Sequence, residues 1–177
     1  ETGIECDLLF TPYTACIEEG RQTLRNERHL VMDATRLDQF GFWSGWIRYD
    51  GRELKIDGAS TFGLKDRSWG IRPVGDAYTG GAPLSDFQAL HFCWMPIHWD
   101  DECSLAGWFE DASGHQWHTD QGFLPRYASP DEVPGTNDPG SRIWQGKVAY
   151  HLNMLPGTRR AGGAVVRAID LAALGRQ

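Results

Sequence analysis

Hydrophobic and polar positions alternate with a period of two over many short stretches of this chain, and no stretch sustains a period of 3.6. Ile4–Thr11 reads as a strand that stops at Pro12, and Arg28–Ala34 as another. Between them, Ile17–Glu27 is charged and carries Gly20, so a loop or short strand is expected. From Phe40 to Tyr49 aromatic residues load both faces: Phe40, Phe42 and Trp46 on one, Trp43, Ile47 and Tyr49 on the other. Gly41 and Gly45 interrupt this run, which suits a bent strand. Asp50-Gly51 is a tight-hairpin signal leading into Glu53–Asp57. Phe62–Arg72 alternates again, and a glycine-rich loop through Gly75, Gly80, Gly81 and Pro83 follows. Phe87–Trp99 is the longest apolar run and ends at Asp100, Asp101 and Glu102. Ser104–Glu110, a turn at Asp111–Gly114 and His115–Phe123 continue a meander. Ser129–Gly140, rich in Pro, Gly and Asp, is expected to be an exposed, mobile loop. Arg142–Met154 reads as one strand, with Trp144, Val148, Tyr150, Leu152 and Met154 on one side, and Ala164–Leu171 as the last.

About nine strands at this spacing predict an all-β fold, an antiparallel barrel or a strongly twisted sandwich with meander topology. At 177 residues the chain suffices for a single β unit with its own core. It does not open on Met, and it is expected to be part of a longer protein or a processed one. The formal charge of −7 argues against nucleic acid as a partner, and no apolar run approaches a membrane span. Four cysteines, Cys6, Cys16, Cys93 and Cys103, form no Cys-x-x-Cys pair, so reduced thiols and a cytoplasmic location are expected.

Eight Trp, eight Phe and five Tyr change the picture more than charge does. Aromatics at this density fill a β core or line a cavity for a large apolar ligand. Trp43, Trp46, Phe62, Trp94, Trp108 and Tyr150 are the candidate ligand-binding positions. His91, on an apolar face, is either a hydrogen-bonded core residue or a proton carrier lining that cavity. His98, Asp100, His115, His118 and Asp120 fall at adjoining strand ends, but their spacing fixes no coordination number and no metal is assigned. No nucleophile elbow, phosphate loop or dinucleotide fingerprint is present.

The candidate chemistry centres on Phe62–Arg72, in which Asp66 shares a period-two face with Phe62 and Leu64. A carboxylate that follows two apolar residues inward is costly unless paired or protonated. Arg67 and Arg72 are candidate partners, and Trp69 supplies an aromatic face nearby. A structural ion pair is one reading of this segment, and an acid beside an indole is the other.

The run Lys65-Asp66-Arg67-Ser68-Trp69-Gly70 resembles the Asp-x-x-Trp signature of the hydroxyneurosporene synthase (carotenoid hydratase) and AttH-like family. Arg36-Leu-Asp-Gln-Phe-Gly-Phe-Trp-Ser-Gly-Trp and the Asp50-Gly51 turn are similar to uncharacterised relatives of that group. The resemblance covers about the first two-thirds of the chain. It implies a lipocalin-like (calycin) barrel, one of two in a longer protein or paired as a homodimer. It also implies that Asp66 is a proton donor; the segment itself offers Trp69 to flank it and Arg67 or Arg72 to orient it. The expected activity is that of a hydratase, isomerase or cyclase acting on a terpenoid or similar apolar molecule without metal or organic cofactor. The alternative is a lipocalin-like module that binds a hydrophobic metabolite without chemistry.

Overall fold

A computed structural model of the chain describes residues 2–26, 28–71, 91–158 and 160–168. Among the described residues twelve strands run in chain order: β1 (Ile4–Pro12), β2 (Ile17–Glu18), β3 (Gln22–Asn26), β4 (His29–Tyr49), β5 (Arg52–Ile56), β6 (Phe62–Ile71), β7 (His91–His98), β8 (Glu102–Glu110), β9 (Gln116–Pro125), β10 (Arg142–Trp144), β11 (Val148–Met154) and β12 (Ala161–Ala168). Among the described residues the only helical turn is the short 3-10 segment Pro130–Glu132. No helix among them is long and apolar enough to cross a membrane.

β4 is the spine. One of its edges carries β3 against 29–34, β2 against 37–38 and β1 against 41–49. The other edge carries β6 against 33–42 and β5 against 45–49, all antiparallel. The sequence pattern suggests two strands here, Arg28–Ala34 and Phe40–Tyr49, because Arg36 and Asp38 break the apolar alternation. Both residues nevertheless keep the inward phase of Phe40: Arg36 is paired with carboxylates, and Asp38 is sealed from water. At about 3.3 Å per residue such a strand would extend about 70 Å if straight. Glycine lets it bend: Gly45 adopts φ +125° where β4 is flanked by Leu8 and Ile56. Asp50 and Gly51, both at positive φ, form the expected tight turn into β5.

The second sheet is a true meander in the order β10-β9-β8-β7. It packs face to face on the first. Ile17 and Phe40 from one sheet and Cys103, Leu105 and Leu124 from the other make the core with Tyr13, and Phe42, Leu64 and Trp94 pack around it. The third sheet is the two-stranded ribbon β11-β12. The stretch Arg142–Met154 is thus two strands rather than one. Gln145-Gly146-Lys147 interrupts it, and the chain leaves the second sheet there for the ribbon.

The fold is therefore all-β and antiparallel, in the form of a sandwich; no sheet closes into a barrel among the described residues. Loop 129–140 is largely exposed, as expected, and Asp138 ties it down by accepting from the Tyr127 hydroxyl and the Gly140 amide. The expected glycine-rich loop, Arg72 and the first residues of the Phe87–Trp99 run lie outside the described residues.

A Cβ at Gly45 would collide with the Asp7 carbonyl oxygen, on a backbone that L-residues rarely adopt. Gly45→Ala is expected to lower the urea-unfolding free energy by more than about 2 kcal/mol. Gly51→Ala, where a Cβ meets open space, should cost about half as much or less, although its φ is also positive.

Candidate functional site

The inner face of β4 presents Arg36 and Asp38, one turn of the pleat below Phe40. Antiparallel register sets Asp38 directly opposite Asp66 of β6, with Phe40 opposite Leu64 and Phe42 opposite Phe62. Directly paired residues share a face. Asp66 therefore lies on the same side as Leu64 and Phe62, the inward phase read from the sequence.

Its surroundings differ from those expected. Asp66 is 38% exposed and its ion pair is with Arg36, Nε to Oδ1 at 3.3 Å. Arg67 and Trp69 fall on the opposite face of β6, paired with Leu37 and Thr35, and Trp69 is 50% exposed. Neither flanks the Asp66 carboxylate. Arg72 lies outside the described residues.

Behind Asp66 the polar residues become buried. Arg36 also reaches Glu19, Nη1 to Oε2 at 3.8 Å, and Glu19 is held further by the Trp94 indole (Nε1 to Oε1, 3.2 Å) and Gln22 (Nε2 to Oε2, 3.1 Å). From the second sheet, His118 Nε2 and Asp120 Oδ2 approach to 2.5 Å, and the Gly20 amide donates to Asp120 Oδ1 at 2.8 Å. Asp38, 0% exposed, meets no hydrogen-bond donor at either oxygen among the described residues. Burial, then the neighbouring Glu19 carboxylate, then Asp66, push the Asp38 carboxyl up to about 9, with Arg36 opposing them in part. Asp38 is thus a carboxyl that keeps its proton at neutral pH.

Glu19, His118 and Asp120 offer ligand atoms within 4.8 Å of one another. Arg36 is shared between Glu19 and Asp66, and amide and indole donors occupy the oxygens of Glu19. The cluster is a buried polar network in which Arg36 and Glu19 are the shared members.

The candidate ligand-binding aromatics are not gathered in one cavity. Trp43 packs on Phe10 (5.0 Å between centroids), and Trp46 lies under the Arg48 guanidinium. Trp94 faces the intersheet cluster through Glu19. Phe62 touches Phe42 and His98 at one end of the sandwich. There the Tyr13 hydroxyl bonds His98 Nδ1, and Arg126 lies over the Tyr13 ring. Burial pushes the adjoining Cys103 thiol up to about 11, which leaves it unreactive. His91, Trp108 and Tyr150 do come together, across the second sheet from the carboxylates. They line a cleft of about 340 Å³ with Phe92, Cys93, Glu110 and Leu152. All four cysteines are free.

Sequence reasoning misses Glu19, Arg36 and Asp38 as members of the site. The signal that marks Asp66 exists for two of them, since Arg36 and Asp38 precede Phe40 and Phe42 on one period-two face. Glu19, on the short strand end after Ile17, leaves no periodic signal.

Fold and site together define a two-sheet antiparallel sandwich with a buried carboxyl–arginine–histidine network opening at Asp66. The chain belongs to a family of unknown function, DUF8625, whose model matches residues 1–174. No curated protein and no solved structure matches the chain.

Between the ordinary carboxyl value of 3.8 and about 9, unfolded chains release the Asp38 proton while folded chains keep it. Stability therefore falls as pH rises through this interval. The Asp38→Asn variant should lose this slope and gain on the wild type steadily from pH 5 to pH 9 in urea melts. The groups facing Asp38 are Glu19, Arg36, Asp66 and Cys16. The burial-depressed His98 acts in the opposite direction near pH 6, and it cancels in the comparison because both proteins carry it. Parallel stability curves for the two proteins would show that Asp38 ionises normally.

Proposed function

We propose that the chain is an acid–base enzyme of hydratase or isomerase type acting on a neutral, apolar small molecule. The observation that carries this reading is the Asp38–Asp66 pair: two carboxyls opposite each other in register, one sealed and one open to solvent. A domain that buries this much carboxyl in its core gives up stability for it, and such groups concentrate at functional sites. The reading keeps the role that the Asp-x-x-Trp resemblance implies for Asp66. It replaces the expected partners Arg67 and Trp69 with Arg36 beside Asp66 and Asp38 behind it.

In this scheme one carboxyl proton of the Asp38–Glu19–Asp66 group is delivered at Asp66 to a carbon–carbon double bond. The π electrons form the new C–H bond, leaving a carbocation. In a hydration, water adds to that carbon and returns its proton to the carboxylate, so alkene and water become an alcohol. In an isomerisation the carboxylate removes a neighbouring proton instead. Phe62 and Leu64, on the same face as Asp66, offer an apolar approach. Arg36 holds the Asp66 carboxylate in place between turnovers. No cofactor is required.

Incubation with a panel of neutral terpenoid alkenes in D2O should place deuterium on carbon, read by mass spectrometry. Asp66→Asn, which keeps the shape and removes the acid, should slow this by about two to four orders of magnitude. Its melting should change little, because Asp66 is more than a third exposed. A variant that melts far earlier yet exchanges at the wild-type rate would assign Asp66 a purely structural role. Absence of deuterium across the panel would count against the enzyme reading itself.

A further inference from the structure

The cleft on the far side of the second sheet is built from groups that the acid–base network does not use. Trp108 is buried and forms its floor, with the Tyr150 ring 5.1 Å away, tilted by 30°. Leu152, substantially exposed, extends the apolar wall outward, and His91 and Cys93, paired with Glu110 and Trp108, share their face. At the inner end sits Glu110, 5% exposed, accepting from the Tyr150 hydroxyl at 2.6 Å and from Gln116 Nε2 at 3.0 Å. A carboxylate has about four acceptor sites, and these two donors leave capacity for a third. The volume of about 340 Å³ lies at the small end of ligand cavities, about 300–1,000 Å³. An apolar body with one hydrogen-bond donor fits this chemistry, and a second carboxylate beside Glu110 does not.

We propose that this cleft, between β7–β8 and β11, is a binding site for a medium-length apolar alcohol, its hydroxyl donating to Glu110 and its chain lying along Trp108, Tyr150 and Leu152. The proposal goes beyond the enzyme reading and does not depend on it, since the sheet separates the cleft from Asp66. The Tyr150 hydroxyl and the Gln116 amide hold the carboxylate end by hydrogen bonds. The outer end, formed by an exposed strand, sets how much chain is covered.

The test uses 1-decanol and decanoic acid as probes, with intrinsic tryptophan fluorescence and calorimetry as readouts. The alcohol is expected to bind one-to-one with a micromolar Kd, at least tenfold tighter than the acid at pH 8. Leu152→Asp, at a position exposed enough to tolerate the change, should weaken decanol binding at least tenfold. Glu110→Gln removes the like charge and should narrow the gap between alcohol and acid. Decanol that fails to saturate, that binds Leu152→Asp as tightly as wild type, or that is matched by decanoic acid would overturn the proposal.

Discussion

A strand paired on both edges along much of its length sets everything else in place. β4 has 21 residues and accepts five other strands. Because those partners lie end to end along it, no local pairing can slip without disturbing its neighbour. A one-residue slip would also turn Phe40 out to solvent and Arg36 with it. Hydrophobic and ionic requirements thus specify the same register. That agreement explains how so polar a segment stays extended through the middle of a sheet.

The same strand divides the interior by chemistry. From Phe40 toward Phe42 its inner face meets Tyr13, Leu124 and Cys103, and the space is filled by rings and aliphatic groups. From Asp38 toward Arg36 it meets carboxylates and His118. The transition takes place over two residues. Burial near one end of the sandwich favours folding directly, whereas at the other it disfavours charge unless each group finds a partner. Asp38 meets the problem by staying protonated, and Arg36 by serving two carboxylates at once.

Alternation and turn chemistry make most strands legible in the amino-acid sequence. The Asp50-Gly51 hairpin, the meander from Phe92 to Phe123 and the inward phase of Asp66 all follow from period two. Two features are not legible, each for a physical reason. Polar residues at 36 and 38 look like a break between strands, because pattern reading assumes that charge faces water. The division at Gln145–Lys147 is hidden because Trp144 and Val148 keep one phase while belonging to different sheets. The site is half legible for a related cause. Periodicity says which way Asp66 points but not which residues another strand brings beside it, so Arg67, adjacent in sequence, stands out where Arg36 does not. The aromatics, counted as one set, are distributed by alternation to several separate environments.

The Gln116 side chain has a mechanical consequence. Its amide group donates to the Val148 carbonyl and accepts from the Val148 N–H, each at 2.8 Å, so it stands in for the missing backbone of a neighbouring strand. An isolated two-stranded ribbon is marginal in water. This one is fastened to the second sheet at its base by a side chain rather than by a ladder. Beyond Tyr150, whose hydroxyl also holds Glu110 of that sheet, the ribbon can swing or fray at its tip without pulling on the sandwich. The first peptide of β11 remains clipped, so Val148 shares the persistence of the sheet while Leu152 shares that of the ribbon.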